Sequence, residues 1–140
     1  MALQSRPDMP GGFRFDFDGV NKILLLRLEG RVTEETLRDI YITGGKYWTA
    51  TMPRAAIVDC SSVTGTAISS DRIRELARRE PMPDTVGRLR IIVAPTTLQY
   101  GLARMFQLVG EAERPMIVVH TMDEALAELG VQSPHFEPLQ

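Results

Sequence analysis

The stretch from Arg54 to Arg79 constrains this chain most. Ala55-Ala56-Ile57-Val58-Asp59 is a short apolar run ending in an acid, Cys60-Ser61-Ser62-Val63-Thr64-Gly65-Thr66 is small and polar, and Ser69-Ser70-Asp71 opens a helical pattern. An apolar run without polar alternation marks a strand covered on both faces. A strand, a loop of small residues and a serine-headed helix form the part of an α/β domain where ligands and phosphates bind, because helix N-termini present unpaired N–H groups there.

The flanking sequence supplies the rest of such a sheet. Phe13, Phe15 and Phe17 alternate with Arg14, Asp16 and Asp18, the period of a strand with one wet face. Asp18-Gly19-Val20-Asn21 turns into Ile23–Leu28, antiparallel to the first strand because the connection is too short for a crossover. Thr33 heads a helix with Glu34 and Glu35 in its first turn and Leu37, Ile40, Tyr41 and Trp48 at helical spacing, which Gly44 and Gly45 are expected to bend or end. After Ala55–Val58, Ser69 or Ser70 caps a helix burying Ile73, Leu76 and Ala77, stopped at Glu80-Pro81-Met82-Pro83. Leu89–Ala94 and Met116–Val119 are two more strands. Between them lies a helix with Leu98, Leu102, Met105, Phe106 and Val109 on one face and Gly110 at its C-cap. Thr121-Met122-Asp123-Glu124 is a capping box opening a last helix, closed by Gly130. The pattern predicts an α/β fold: a mainly parallel five-stranded sheet, an antiparallel first edge strand and about four helices.

At 140 residues and net charge -2, the chain reads as one domain over 13–131, with loose tails at 1–12 and 132–140 that carry Pro7, Pro10, Pro134 and Pro138. The charge gives no basic surface for nucleic acid. Cys60 is the only cysteine, so no intramolecular disulfide forms, and the first residues show no apolar targeting segment, which makes the cytoplasm the expected address. Ile23–Leu26 and Met116–Val119 are far shorter than the ~20 residues of a membrane-spanning helix, which leaves peripheral membrane contact open.

This element order resembles the STAS fold of the SpoIIAA-like anti-sigma-factor antagonists across Phe13 to Val131. Ala56-Ile57-Val58-Asp59 with Val63, and Tyr100-Gly101-Leu102-Ala103-Arg104-Met105-Phe106, are similar to stand-alone bacterial SpoIIAA-like (STAS/CRAL-TRIO-related) proteins. The resemblance implies a small non-enzymatic regulatory domain that binds a regulatory protein partner, a kinase or anti-sigma-like protein. In those antagonists a partner kinase phosphorylates a serine at the start of the helix after the third strand, which makes Ser69 and Ser70 the candidate phosphoacceptors. Ala67-Ile68-Ser69-Ser70-Asp71 lacks the Asp before and the Gly after that such a motif carries, and Asp71 would oppose a phosphate. Ser69 or Ser70 is therefore read as a helix cap. The CRAL-TRIO relationship implies an alternative, a small apolar or lipid-like ligand held in a pocket.

Enzyme chemistry finds no support. Asp59, Thr96 and His120 follow successive strands, as in a response-regulator receiver, but the receiver's Lys and its Mg²⁺-binding acidic pair are missing. Cys60 and His120 would lie two strands, ~10 Å, apart, beyond the reach of a thiol and its base. Two histidines, His120 and His135, make no metal cluster, and the glycines match no nucleotide loop. Arg72, Arg74, Arg78 and Arg79 read as a solvated face interspersed with Glu75 and Glu80, and Tyr100 and Arg104 as a stacked pair four residues apart.

The expected binding surface is Asp59, Ser61, Ser62, Gly65, Ser69, Ser70, Thr96, Tyr100 and His120, with no catalytic residue, metal or cofactor, and no feature fixes the oligomeric state. The two readings differ in one structural expectation. A protein-binding domain is expected to show an exposed apolar or mixed patch near Gly65 to Arg72 and no internal cavity, whereas a ligand-binding one is expected to show an apolar pocket of a few hundred Å³.

Overall fold

The computed structural model describes residues 12–69, 71, 72, 75, 89–110 and 116–139, with the side chains of 102 and 105–110 excepted. The elements are β1 (Gly12–Asp18), β2 (Ile23–Val32), α1 (Glu34–Thr51), β3 (Ala55–Thr66), β4 (Leu89–Val93), α2 (Thr97–Gly110), β5 (Met116–Val119), α3 (Met122–Leu129) and β6 (Glu137–Pro138). One sheet runs in the order β5-β4-β3-β2-β1-β6. Strands β2 to β5 are mutually parallel, and β1 lies antiparallel to both β2 and β6.

Strand alternation sends side chains to two cores. Ile23 and Leu25 join Ile57, Ile91, Val93 and Val119 on one face, under Ala125 and Leu129 of α3. Leu24, Leu26 and Leu28 join Ala56 and Phe15 on the other, under Ile40 and Trp48 of α1. Ile92 and Ala94 extend that second layer to Ala103 of α2. Ile57, Ile91 and Leu25 are fully buried, and each such side chain contributes roughly 1.5–3 kcal/mol.

Caps form at the start of α1 and at both ends of α3, where the sequence signals them. The Thr33 hydroxyl accepts from Thr36 N–H, Thr121 and Glu124 form the reciprocal box, and Gly130 takes the left-handed conformation at φ 70° that only glycine adopts freely.

Four expectations are corrected. The sheet has six strands, because the segment after Val131, read from its prolines as a loose tail, supplies β6. Leu139 N–H bonds Phe15 O at 2.8 Å, so β1 is flanked on both sides and is not an edge. Gly44 and Gly45 do not interrupt α1, since Ile40 and Trp48 bury the same face on either side of them; that packing outweighs about 1 kcal/mol per helical glycine. Strand β3 does not stop at Val58 but continues to Thr66, so the supposed loop is strand. Three helices have bounds among the described residues, and Asp71, Arg72 and Glu75 are also helical. Ile73, Leu76, Ala77, the stop at 80–83 and residues 1–11 lie outside the described residues.

Asp18 locks the sixth strand's approach. It is fully buried at the β1–β2 turn. Its Oδ1 accepts from Val20 and Asn21 N–H at 3.0 and 2.9 Å, and its Oδ2 from Asn21 Nδ2 and His135 N–H at 2.7 and 3.0 Å. Burial alone would raise the carboxyl's pKa, but the hydrogen bonds from Asn21, His135 and Val20 outweigh it and hold the pKa below its usual value. A depressed native pKa means that the stabilisation is complete above about pH 4 and is lost as pH falls through the lowered value. Asp18→Asn removes the Oδ2 acceptor and should cost on the order of 2–3 kcal/mol at pH 7. Urea unfolding at pH 7 and pH 3 should show a smaller acid-induced loss in the variant than in the wild type; equal losses would remove Asp18 from the account.

Candidate functional site

The carboxyl ends of the parallel strands define one end of the molecule. Asp59 pairs with Val93, and Val93 with Val119, so β3, β4 and β5 are level there. Beyond that row β3 runs on with only β2 beside it, Ser62 opposite Glu29 and Gly65 opposite Arg31. The ladder tolerates this through register shifts around Gly30, whose φ of 72° suits a residue without a side chain.

The unpaired side of the β3 extension is closed by α2. Thr96 Oγ1 accepts from Gln99 N–H at 3.2 Å while Gln99 Oε1 accepts from Thr96 N–H at 3.1 Å, a reciprocal helix cap. The other half of the same amide, Nε2, donates to Ser61 O at 3.3 Å and Val63 O at 2.8 Å. Gln99 is 4% exposed and spends its polar atoms in this way. Its role was missed in the sequence reading, although Thr96-x-x-Gln99 is a visible capping-box spacing.

Next to it, Tyr100 stacks on His120 with ring centroids 5.0 Å apart and planes 7° from parallel. His120 is exposed, and its N–H and that of Thr121 both bond Glu124 Oε1 at 3.0 Å, which fixes the strand end beneath the ring. Tyr100 was expected to stack on Arg104, and its observed ring partner is His120.

Asp59 is largely buried. Ser61 N–H and Oγ–H donate to its Oδ1 at 2.9 and 2.6 Å, and Arg27 Nη1 lies 3.8 Å from its Oδ2. Arg27 also meets Asp16 at 3.3 Å, and Asp16 meets Arg14 at 3.1 Å, so alternating charges cross β1, β2 and β3. Burial, with the Asp59 charge second, pushes the neighbouring Cys60 thiol up to about 12. At neutral pH it is protonated and a poor nucleophile.

Farther out, the exposed Ser69 accepts from Arg72 N–H at 3.2 Å, as a helix cap does. Arg72 is held from two sides, by Glu34 at 2.5 Å and Glu75 at 2.6 Å, and these bonds raise its pKa. Ser70, Arg74, Arg78 and Arg79 lie outside the described residues.

The expected residues thus divide into two groups. Asp59, Ser61, Thr96, Tyr100 and His120 meet around Gln99, whereas Gly65 and Ser69 sit at the far end of β3, where Thr66 Oγ1 donates to Val32 O at 3.2 Å. Ser62 is exposed on the strand between them. Beneath this end, between α1, the sheet and α2, lies a partly open pocket of about 190 Å³ walled by Leu24, Leu26, Ile40, Trp48, Ala56, Val63, Ile92 and Ala103 among others, whereas the protein-binding reading carries the expectation of no cavity.

No protein-family model and no curated protein matches the chain. Solved structures do. An uncharacterized protein with a SpoIIAA-like fold from Shewanella loihica aligns over 91% of this chain and 99% of its own, with a TM-score of 0.58 and 12% identity. An anti-sigma factor antagonist from Mycobacterium paratuberculosis aligns over 91% and 99%, with a TM-score of 0.54 and 19% identity. The fold of this chain is therefore the SpoIIAA-like, or STAS, fold.

Gln99 gives the site a direct structural test. Gln99→Leu removes the cap and leaves Ser61 O and Val63 O without their donor, at a cost of about 2–3 kcal/mol. Chemical denaturation should register that loss, and hydrogen exchange should speed up at Thr96 and along 61–66 but not at Ile57. Uniform acceleration would mean that the amide is not a local clamp.

Proposed function

We propose that this protein is a non-enzymatic regulatory domain that binds another protein through the surface around Ser61, Thr96, Tyr100 and His120, extended along β3 to Ser69. The observation that supports this most is the construction of that surface on a SpoIIAA-like fold: a buried amide fixes its backbone, and the exposed His120 ring lies flat on a half-buried Tyr100. Rigid aromatic groups bounded by polar ones are the composition of protein-binding surfaces. An anti-sigma factor antagonist shares the fold, which fits a partner of regulatory type. Among the described residues of this surface, no thiol, acid or base is arranged for chemistry. Cys60 is protonated, and the Asp59 oxygens are engaged by Ser61 and Arg27. No described helix is long and apolar enough to cross a membrane.

Ser69 works in this reading as a cap and not as a phosphorylation switch. A phosphate there would need a free cation, yet Arg72 already carries Glu34 and Glu75, and Asp71 adjoins it.

Two measurements test the proposal. Cross-linked affinity capture from the native host should recover a protein whose binding drops at least tenfold with Tyr100→Arg but is unchanged by Val20→Arg, an exposed site in the β1–β2 turn at the opposite end. The reverse pattern would sink the assigned surface. Ser69→Ala should cost ~1 kcal/mol of stability with partner affinity unchanged. Stoichiometric phosphate on Ser69 after incubation with host kinases, with loss of the partner, would instead establish a switch.

A further inference from the structure

Arg31, at the end of β2, points to the chemistry of the protein partner. We infer that its guanidinium anchors one carboxylate, an Asp or Glu side chain of an acidic partner segment, with the Ser62 and Thr64 hydroxyls beside it. The inference rests on the protein-binding reading and names what that surface recognises.

Arg31 is set apart by what it lacks. Arg14 and Arg27 hold Asp16, Arg38 holds Glu34, Arg54 bonds Asn21 O and Leu129 O, and Arg72 holds Glu34 and Glu75. Arg90 and Arg104 have interactions of their own. Among the described residues the Arg31 guanidinium makes no hydrogen bond or ion pair, and its Nε is buried. A buried donor without an acceptor is a cost that the fold itself does not recover. The residue as a whole is half-buried, so its stem is held while the tip of the fork reaches solvent.

The surroundings fit a single carboxylate. Val32 and Val63 enter the core under α1 and Thr66 lines the pocket on that side, so strand alternation puts Arg31 and its ladder partner Gly65 on the opposite face. Nothing but its own chain neighbours lies within 4 Å of where a side chain on Gly65 would begin, which leaves room for an approaching group. Ser62 and Thr64 are exposed there. The acids of this face are committed elsewhere. Asp16 and Asp59 meet Arg14 and Arg27, and Glu29 leans toward β1, its Oε1 3.5 Å from where a side chain on Gly12 would begin. Those three acids repel a phosphate, with nearly two charges, more than a carboxylate with one. One unpaired arginine is also too little for a nucleic-acid backbone, whereas its planar fork matches a carboxylate in two parallel bonds. Ser69 and Arg72 lie toward α1, so Arg31 is not the cation of a Ser69 phosphate.

Nitrogen-15-labelled full-length protein would be titrated at low salt with a tetraglutamate peptide, a tetraglutamine peptide and inorganic phosphate, following the Arg31 Nε–H signal and the amides of 62–65. Tetraglutamate should shift them saturably with a Kd of about 1–10 mM, and the other two should not. Arg31→Met keeps the stem and removes the fork. It should abolish the response, leave urea stability unchanged or higher, and weaken binding of the captured partner at least tenfold, while Arg31→Lys recovers only part of that affinity. Loss of stability in Arg31→Met would make the guanidinium structural and overturn the inference, as would equal shifts with tetraglutamine, stronger ones with phosphate, or none with tetraglutamate. Partner binding lost with Tyr100→Arg but kept with Arg31→Met overturns the carboxylate anchor alone. Binding kept with Tyr100→Arg but lost with Arg31→Met supports the anchor and moves the surface away from Tyr100.

Discussion

The parallel ladder between β2 and β3 is the contact on which the rest of the structure depends. It spans Ile23–Ala55 to Val32–Thr66, and side chains from its two faces enter both major cores. Because β4 ends level with Asp59, the second half of β3 has a partner on one side only. Carbonyls at Ser61 and Val63 would otherwise face α2 without donors, and buried backbone groups left so are costly. The Gln99 side chain supplies the donor that a neighbouring strand would have given. One amide therefore joins the sheet extension to the start of α2 and so fixes where Tyr100 meets His120.

Much of this was legible in the sequence because it depends on local chemistry. Phe13, Phe15 and Phe17 could only alternate as a strand, Thr33 and the Thr121–Glu124 pair had one sensible use, and the β–α alternation implied parallel strands with Asp59, Thr96 and His120 at one end. What escaped depends on partners distant in sequence. Ser61, Ser62 and Gly65 have weak strand preference and form strand because β2 extends beside them. Glu137–Pro138 is two residues long and becomes β6 only because β1 offers a free edge and Asp18 holds His135. Gly44 and Gly45 looked like a break because propensity is read locally, whereas Ile40 and Trp48 settle the matter through the core. The Tyr100–His120 stack joins α2 to the end of β5, and no spacing announces it.

The charges around Ser69 tie two parts of the domain together. A helix start carrying an exposed serine has the shape of a phosphate site. Here the nearby guanidinium of Arg72 is spread between Glu34 of α1 and Glu75 of its own helix. What those bonds do provide is a tether between α1 and the segment after β3. That tether spans the same side of the sheet as the pocket, whose wall includes Leu37 of α1 and Thr66 and Ile68 of β3 and its exit. Ile68 directly precedes Ser69, so anything that repacks the pocket wall acts one residue from the cap. The apolar interior and the polar end of this domain are thereby parts of one packed unit, and the position of the Ser69 cap is set by both.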